Sequence, residues 1–445
     1  MLERTAVALA MILFFVWSLP GVTALRSLLL FSALLLLANL IEWRSVVAAA
    51  RANRWPLGLL GLLSAWLMAQ AIFVSPETAW ALGELKGQWG NALFAGALGL
   101  LLAMAVRKGG FSLASWVTTL LAGVLILQAA IAVGQSLFSW LAHSELRIGS
   151  VPLTGGKLEM SYILNILLAT IAVDLLFRAT HKRGFLRLPL HAVVLALMLA
   201  LLSTYLAGAR NGILGVLFLS FSALTLYLIE TQRQHGARRT FAAGAILLTL
   251  VVGFAGVSYH SDARWRTFVE TATIAWDIDK SLAWRDSHRY PFPRLANGDL
   301  IDSSAYVRVA FIHAGLREIG KHPLGVGYGR NAFVHALRQT EDAQVGHAHS
   351  GWIDLGVGGG IPALVLWAAF LASLLITGAI RYFRDDDPHA LWLFLLTTGY
   401  AGRMVLDSVN RDHMLQMFFF LGLYLLAMSL PPNDEGLTAP AKGLE

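Results

Sequence analysis

Apolar runs of 18 or more residues recur along almost the whole sequence, and they constrain the fold more than any other feature. Each run is long enough to cross about 30 Å of hydrocarbon as a helix. Of the 445 residues, 57% are hydrophobic and 14% are charged, whereas a soluble protein of this length carries roughly 25% charged residues. The sequence therefore predicts an all-α polytopic membrane protein.

The apolar runs predict about twelve transmembrane spans. They fall near residues 5–25, 27–43, 55–75, 89–106, 112–140, 160–178, 188–207, 211–230, 240–259, 351–380, 390–408 and 413–430. The connection between spans nine and ten is far longer than an ordinary loop. The predicted organisation has transmembrane helices over 1–259, a helical loop over 260–350, three more transmembrane helices over 351–430, and a tail over 431–445.

Basic residues in the short loops predict the orientation of the chain. They follow spans two, four, six, eight and ten, which marks these five loops as cytoplasmic. The residues concerned are Arg44, Arg51, Arg54, Arg107, Lys108, Arg178, Lys182, Arg183, Arg187, Arg233, Arg238, Arg239, Arg381 and Arg384. Both termini are then cytoplasmic and the long loop faces outward. Because the basic residues are spread over many loops, no nucleic-acid partner is expected, and the absence of cysteine excludes thiolate metal sites.

The long outer loop is predicted to be folded. The segment DSSAYVRVAFIHAGLREIG has the pattern of an amphipathic helix that is capped at Asp302 and closes at Gly320. Residues 264–276 also have helical spacing. Residues 321–329, KHPLGVGYG, predict a turn and not a phosphate-binding loop, because the Lys-Ser/Thr ending is missing. We expect a helical cap over the outer membrane face.

Arginines on the outer side are candidates for binding phosphate. Arg210 lies in a turn of two or three residues between spans seven and eight, where an ionisable group is costly and indicates a functional site; snorkelling to lipid headgroups is the alternative. Arg147 follows span five, Arg308 lies in the cap helix, and Arg264 is a further candidate. Guanidinium groups suit bidentate contact with phosphate oxygens, so these arginines together would suit a pyrophosphate. Most other outer arginines are expected to be solvated. Arg403 and Asp407, near the outer end of span eleven, have the i, i+4 spacing of a helical ion pair with a structural role.

Two histidines, His347 and His349, stand directly before span ten in VGHAHSGWIDLGVGGG. Other metal ligands are sparse around them, so no metal site is predicted; a structural role at the loop–helix junction stays open. Acid–base chemistry suits imidazole near neutral pH. The positive N-terminal end of span ten disfavours the imidazolium of His349, which is therefore the predicted base. The glycines that follow allow close helix packing or leave room for a lipid chain.

These motifs together resemble the O-antigen ligase superfamily, whose members have about twelve spans and a long periplasmic loop late in the chain. The resemblance rests on AGARNGILG, YVRVAFIHAGLREIGKHPLGVGYG and HAHSGWIDLGVGGGIP, with Ser350 where the family often has Asn. It covers the whole chain in topology, and residues 207–212 and 306–362 in motif. By matching motif, it implies that Arg210, Arg308 and His349 are functional, with His349 and Arg210 catalytic. Arg147 and His347 are further candidates for contact with the pyrophosphate.

The resemblance also implies a reaction. A glycan would move from undecaprenyl pyrophosphate to a hydroxyl of lipid A–core oligosaccharide, with inversion, without a metal or other cofactor, and on the periplasmic face of the bacterial inner membrane. A Wzy-type O-antigen polymerase or a protein O-oligosaccharyltransferase would use similar donor chemistry, and both stay open. A twelve-span lipid or drug transporter is the alternative from another class, although no six-plus-six internal repeat is evident.

Overall fold

The computed structural model describes residues 2–146, 149, 151, 153–235, 241, 242, 244, 245, 248, 249, 252, 253, 256, 259, 260, 267–338 and 344–431. Within these residues the regular secondary structure is helical, apart from one isolated β-bridge between Arg294 and Leu300. The helices are α1 Leu2–Val16, α2 Thr23–Leu40, α3 Trp43–Ala52, α4 Arg54–Phe73, α5 Thr78–Glu84, α6 Asn91–Lys108, α7 Gly110–His143, α8 Lys157–His181, α9 Leu190–Ala207, α10 Arg210–His235, α11 Phe268–Trp276, α12 Ser303–Lys321, α13 Ala332–Arg338, α14 Gly351–Asp385, α15 Pro388–Arg403 and α16 Asp412–Met428.

Eight segments of the described chain are helices long and apolar enough to cross a membrane. They are Thr23–Leu40, Arg54–Phe73, Thr78–Lys108, Ser112–His143, Lys157–His181, Leu190–Ala207, Gly215–Arg233 and Gly351–Asp385. Two shorter apolar helices, Arg4–Val16 and Asp412–Met428, accompany them. This supports the predicted all-α polytopic class, whereas the count of twelve spans stays a prediction.

Three predicted boundaries are wrong. The first span was expected over 5–25, but α1 ends at Val16, and Gly21 has a φ of 73° in the turn to α2. Residues 76–88 connect the predicted spans 55–75 and 89–106 and were expected to form a loop, yet α5 begins at Thr78 and a π-helical turn over Leu85–Gly90 joins it to α6. Span eleven was expected to reach 408, but α15 ends at Arg403. Span nine, 240–259, lies largely outside the described residues.

The segment between α10 and α14 contains folded helices, as predicted. The carboxylate of Asp302 accepts hydrogen bonds from the amides of Ser304 (3.1 Å) and Ala305 (3.4 Å), so it caps α12 as expected. Trp284 and Phe311 belong to a separate hydrophobic core that α11, α12, α13 and the first turns of α14 share. The helix α13 was not predicted. The position of this segment over a membrane face stays a prediction.

The helix α14 is kinked by its glycine-rich start. Gly360 has φ 74° and ψ −175°, and Pro362 has no amide hydrogen for the carbonyl of Gly358. That carbonyl instead accepts hydrogen bonds from the amide of Gly327 (2.9 Å) and the side chain of Gln70 (3.1 Å). The Pro/Gly turn at 323–327 therefore packs backbone to backbone against the kink. This close contact, and not room for a lipid chain, is what the glycines provide here.

The five basic loops lie at one end of the helix bundle. Arg381 donates to Asn53 Oδ1 (2.8 Å), Arg107 to the carbonyl of Leu430 (2.7 Å), and Arg233 to the carbonyl of Phe383 (3.2 Å). This shared end agrees with the alternation of loops predicted from the sequence. Which side of a membrane it faces stays a prediction.

Candidate functional site

The segment 344–350 and the first turn of α14 meet the connection between α15 and α16. The amide of Gly351 donates to the carbonyl of Asp407 (3.0 Å), and the amide of Trp352 donates to the carbonyl of Met404 (3.4 Å). The side chain of Asn410 donates to the carbonyl of Gly351 (3.1 Å). Two of the helix amides that lack an intrahelical partner are thus used by the protein itself.

The two predicted histidines lie side by side. The ring centroids of His347 and His349 are 4.2 Å apart, and the ring of His349 stacks on Phe311 of α12 at 6.0 Å. His349 has a φ of 53°, a left-handed conformation that non-glycine residues seldom adopt. The stacking contact with Phe311 and the left-handed backbone at His349 together fix where its imidazole lies.

Two arginines supply the positive charge around these rings. Arg308, in α12, is half-buried, and its charge acts on both histidines. Arg411 lies at the start of α16, and its Nη2 is 3.4 Å from Nε2 of His347. Arginine only donates, so this contact makes Nε2 of His347 the acceptor and places its proton on Nδ1. Arg411 was expected to be solvated surface; its side chain is 24% exposed and lies inside the site.

Burial keeps both imidazoles neutral. It lowers the pKa of His349, and Arg308 lowers it further, while Asp407 opposes the shift. Burial and Arg411 lower the pKa of His347 to about 3. The neutral state predicted for His349 is thus supported by the lowered pKa, but the cause differs. Burial comes first and the charge of Arg308 next, whereas the prediction relied on the helix terminus. His347, expected to be the less constrained ring, has its pKa lowered as well.

A buried carboxylate holds the histidine segment in place. Asp354, in the first turn of α14, accepts hydrogen bonds from the amide of Ala348 (2.9 Å) and from the hydroxyl of Ser408. Ala348 lies between the two histidines, so Asp354 fixes the backbone that carries both rings. The only sign of this contact in the sequence is a carboxylate one helical turn after Ser350.

An ion pair supports the other side of the site. Arg403 and Asp407 were predicted to pair at i, i+4 spacing, and Arg403 Nη2 lies 2.6 Å from Asp407 Oδ2 with both side chains buried. Arg403 also donates to Ser161 Oγ (2.8 Å) of α8. The helix α15 ends at Arg403, so the pair bridges the helix end and orients the connection that contacts Gly351.

A small cleft opens beside the histidine segment. Its empty volume, part of it open to solvent, is about 280 Å³. Its lining residues are Gln88, Tyr328, Gly329, Arg330, Asp354, Asn410 and Arg411. Arg330 hydrogen-bonds to the carboxylate of Asp412, which also accepts from Gln88 (3.3 Å). The side chains of Arg330 and Arg411 therefore line the cleft, and Arg411 also contacts the neutral imidazole of His347.

The remaining predicted arginines are described only in part. Arg210 begins α10 directly after the turn at Gly208, as expected. Two residues later, Gly212 lies against Ser161, which in turn binds Arg403, so the start of α10 is near the site. The side chain of Arg210 is outside the described structure, and so are the whole residues Arg147 and Arg264. Their proposed contacts with pyrophosphate stay predictions.

Residues 193–368 match the family model Wzy_C, described as O-Antigen ligase. Over these residues the chain is similar to the O-antigen ligase family. The predicted superfamily is thereby confirmed, and the matched residues include Arg210, Arg308 and His349. A search of curated proteins found no match to the chain.

Some site residues lie outside the matched residues 193–368, and no sequence motif indicated them. Arg411 is one of many outer arginines, and Asn410 and Ser408 follow a span end with no motif of their own. Their common signal is position, because all three precede the last apolar run. Only the fold brings this connection to the start of α14.

Proposed function

We propose that the protein moves an O-antigen glycan from undecaprenyl pyrophosphate to a hydroxyl of lipid A–core oligosaccharide, at the periplasmic face of the bacterial inner membrane. The match of residues 193–368 to the O-antigen ligase family supports this class of reaction. The observation that carries the proposal is the neutral imidazole of His349, which lies within the electrostatic influence of Arg308 and Arg411, in a segment next to the cleft that Arg411 and Asp354 line.

In the proposed reaction, His349 is the general base. The oxygen of the acceptor hydroxyl attacks the anomeric carbon of the donor, and His349 accepts its proton. The bond between the anomeric carbon and the pyrophosphate oxygen breaks, and the pyrophosphate leaves with the electron pair. Attack opposite the leaving group inverts the anomeric centre. The lowered pKa of His349 keeps this base unprotonated at neutral pH.

Arginines are proposed to stabilise the leaving group. Guanidinium groups fixed in a partly buried site stabilise charge that develops on phosphate oxygens. We assign this role to Arg308 and Arg411, and extend it to Arg210, Arg147 and Arg264 as the sequence predicts. His347 accepts from Arg411 and so positions that guanidinium. With this charge supplied by the chain, the proposed reaction needs no metal.

Ion pairing gives no support to the transporter alternative. Asp174, the main charge within the early spans, pairs with Arg178 (2.6 Å) and accepts from the amides of Phe185 and Leu186 (2.7 Å each). These contacts give the carboxylate a structural role at the end of α8. The polymerase and the protein O-oligosaccharyltransferase remain the alternatives within the superfamily.

The test uses purified protein, undecaprenyl pyrophosphate-linked glycan and EDTA, with three acceptors offered separately: rough lipopolysaccharide, a second donor molecule and an acceptor protein. We expect product with rough lipopolysaccharide alone. His349→Ala should lower turnover by about 10²- to 10⁴-fold. His191→Ala, which changes an exposed histidine at the start of α9, at the end of that helix opposite to the turn before Arg210, is the matched control and should be as active as the wild type.

Each other outcome contradicts a named part of the proposal. Full activity in His349→Ala would rule out His349 as the general base. Product only with a second donor molecule would indicate a polymerase. Product only with the acceptor protein would indicate a protein O-oligosaccharyltransferase. Loss of wild-type activity in EDTA, restored by added metal, would contradict the metal-independent reaction.

A further inference from the structure

At the end of the bundle opposite His349, three side chains from separate helices converge. They are His181 at the end of α8, Glu230 near the end of α10 and Asp386 directly after α14. One ligand atom from each, an imidazole nitrogen and two carboxylate oxygens, lies within 4.8 Å of the others. The helix α14 has 35 residues, so this cluster is about 50 Å from the histidine pair along the helix.

Hydrogen bonding sets the tautomer of His181. The hydroxyl of Thr180 donates its only proton to the carbonyl of Leu176 (2.8 Å). The same oxygen is 2.7 Å from Nδ1 of His181, so it must accept, and Nδ1 must carry the ring proton. Nε2 of the neutral ring then carries a lone pair, and within the described chain no hydrogen-bond donor reaches this atom.

That lone pair faces two groups that also only accept. Nε2 of His181 is 3.5 Å from Oδ1 of Asp386, and the side chains of His181 and Glu230 are 15% and 4% exposed. Arg233 donates to one carboxylate oxygen of Glu230 (3.1 Å). The three convergent acceptors form an arrangement that a divalent cation satisfies.

The helix ends strengthen this arrangement. The last carbonyl groups of a helix carry partial negative charge, which favours cations near its C-terminal end. The C-terminal ends of α8, α10 and α14 meet here. The hydrogen bond from His181 Nδ1 to Thr180 matches the arrangement of metal-binding histidines, which donate their other ring nitrogen to an acceptor.

We propose that His181, Glu230 and Asp386 bind one divalent transition-metal ion of the Zn²⁺ class. An imidazole and two carboxylates are ligands that Zn²⁺ accepts, with water in the remaining position. The ion joins the ends of three helices and has a structural role. It takes no part in the proposed glycosyl transfer, since the two sites lie at opposite ends of α14.

The test measures Zn²⁺ binding to the full chain, purified with a tag that lacks histidine and stripped with chelator. Isothermal titration with Zn²⁺ should give one ion per chain for the wild type, and the ion should raise the midpoint of thermal unfolding. His181→Ala and Asp386→Asn should each weaken binding by more than about 100-fold, because removing a partner of a ligand already costs 10- to 100-fold. Thr180→Val, which removes only that partner, should weaken it by about 10- to 100-fold.

The matched control is Asp385→Asn. Asp385 is the neighbouring carboxylate and pairs with Arg384 (2.7 Å), so this variant should bind Zn²⁺ like the wild type. Equal binding by wild type and His181→Ala would overturn the proposal. So would the absence of stoichiometric Zn²⁺ binding by the wild type between pH 6 and 8.

Discussion

The two ends of α14 each place an imidazole among charged groups of opposite sign. At its start, His349 lies near Arg308 and Arg411, next to amide groups of the first helical turn. At its end, His181 faces Glu230 and Asp386, next to the last carbonyl groups of three helices. The first imidazole is suited to accept a proton beside an anion, and the second to bind a cation.

Helix polarity explains part of this difference. Amide groups at a helix start favour anions, and carbonyl groups at a helix end favour cations. A leaving pyrophosphate therefore suits the start of α14, whereas a metal ion suits its end. The same type of side chain therefore has a different chemical role at each end, because the charges around it differ in sign. A variant that changes one of these charges or contacts should affect mainly its own end of α14.

The largest effect is expected from the ion pair that supports the His349 end. Arg403→Met leaves the buried carboxylate of Asp407 without its partner and should lower the free energy of unfolding by roughly 3–5 kcal/mol. Arg384→Met removes the exposed partner of Asp385 at the other end and should cost less than about 1 kcal/mol. Denaturant unfolding in mixed micelles measures both. Equal losses would show that the two ends do not differ in burial as described.

The next effect separates charge from burial at His349. Arg308→Ala should lower turnover by about 10²- to 10³-fold, because it removes a donor to the leaving group. It should also raise the pKa of His349, so the fall in activity on acidification begins at a higher pH than in the wild type. A pH–rate profile measures this shift. Arg317→Ala is the control, since it lies on the same helix and pairs with Asp279 (2.6 Å); an unshifted profile in Arg308→Ala would contradict the prediction.

A smaller effect tests whether the two ends are independent. Gly360→Ala places a side chain in a backbone conformation that essentially only glycine adopts, and 2.5 Å from the carbonyl oxygen of Pro323. It should lower stability by at least about 1–3 kcal/mol and reduce glycosyl transfer, with Zn²⁺ affinity unchanged. Gly123→Ala, whose new atom meets nothing within 4 Å, is the control. A parallel loss of Zn²⁺ binding would show that the ends are coupled.

The smallest effect concerns His347 and pH. Its pKa is about 3 in the folded chain and near 6.5 when unfolded, so below pH 6.5 the unfolded chain binds the extra proton. Stability should therefore decrease as pH falls from 6.5 towards 3. His347→Gln should lessen this decrease, as measured by the unfolding midpoint at pH 8, 6.5 and 5. An identical pH dependence in both proteins would contradict the burial of a neutral His347.

Local patterns predicted what local interactions decide. The cap at Asp302, the turn before Arg210 and the i, i+4 pairing of Arg403 with Asp407 depend on residues close in the chain, and each was expected. The segment 76–88 was expected to be a loop because it lies between two apolar runs, and it contains Glu77, Glu84 and Lys86. In the fold, Glu84 accepts from the amide of Arg330 (2.8 Å), so a tertiary contact explains that charge within a helix.

The sequence by itself determined the all-helical membrane class, the histidine pair before a long apolar helix and the glycines at its start, because hydrophobic periods and turn residues act over short distances along the chain. Only the tertiary structure decided that Arg411 and Ser408 reach the histidine segment and that His181 meets Glu230 and Asp386. These contacts join residues on different helices. Their formation depends on which helix ends meet in the bundle, and a local pattern contains no record of that.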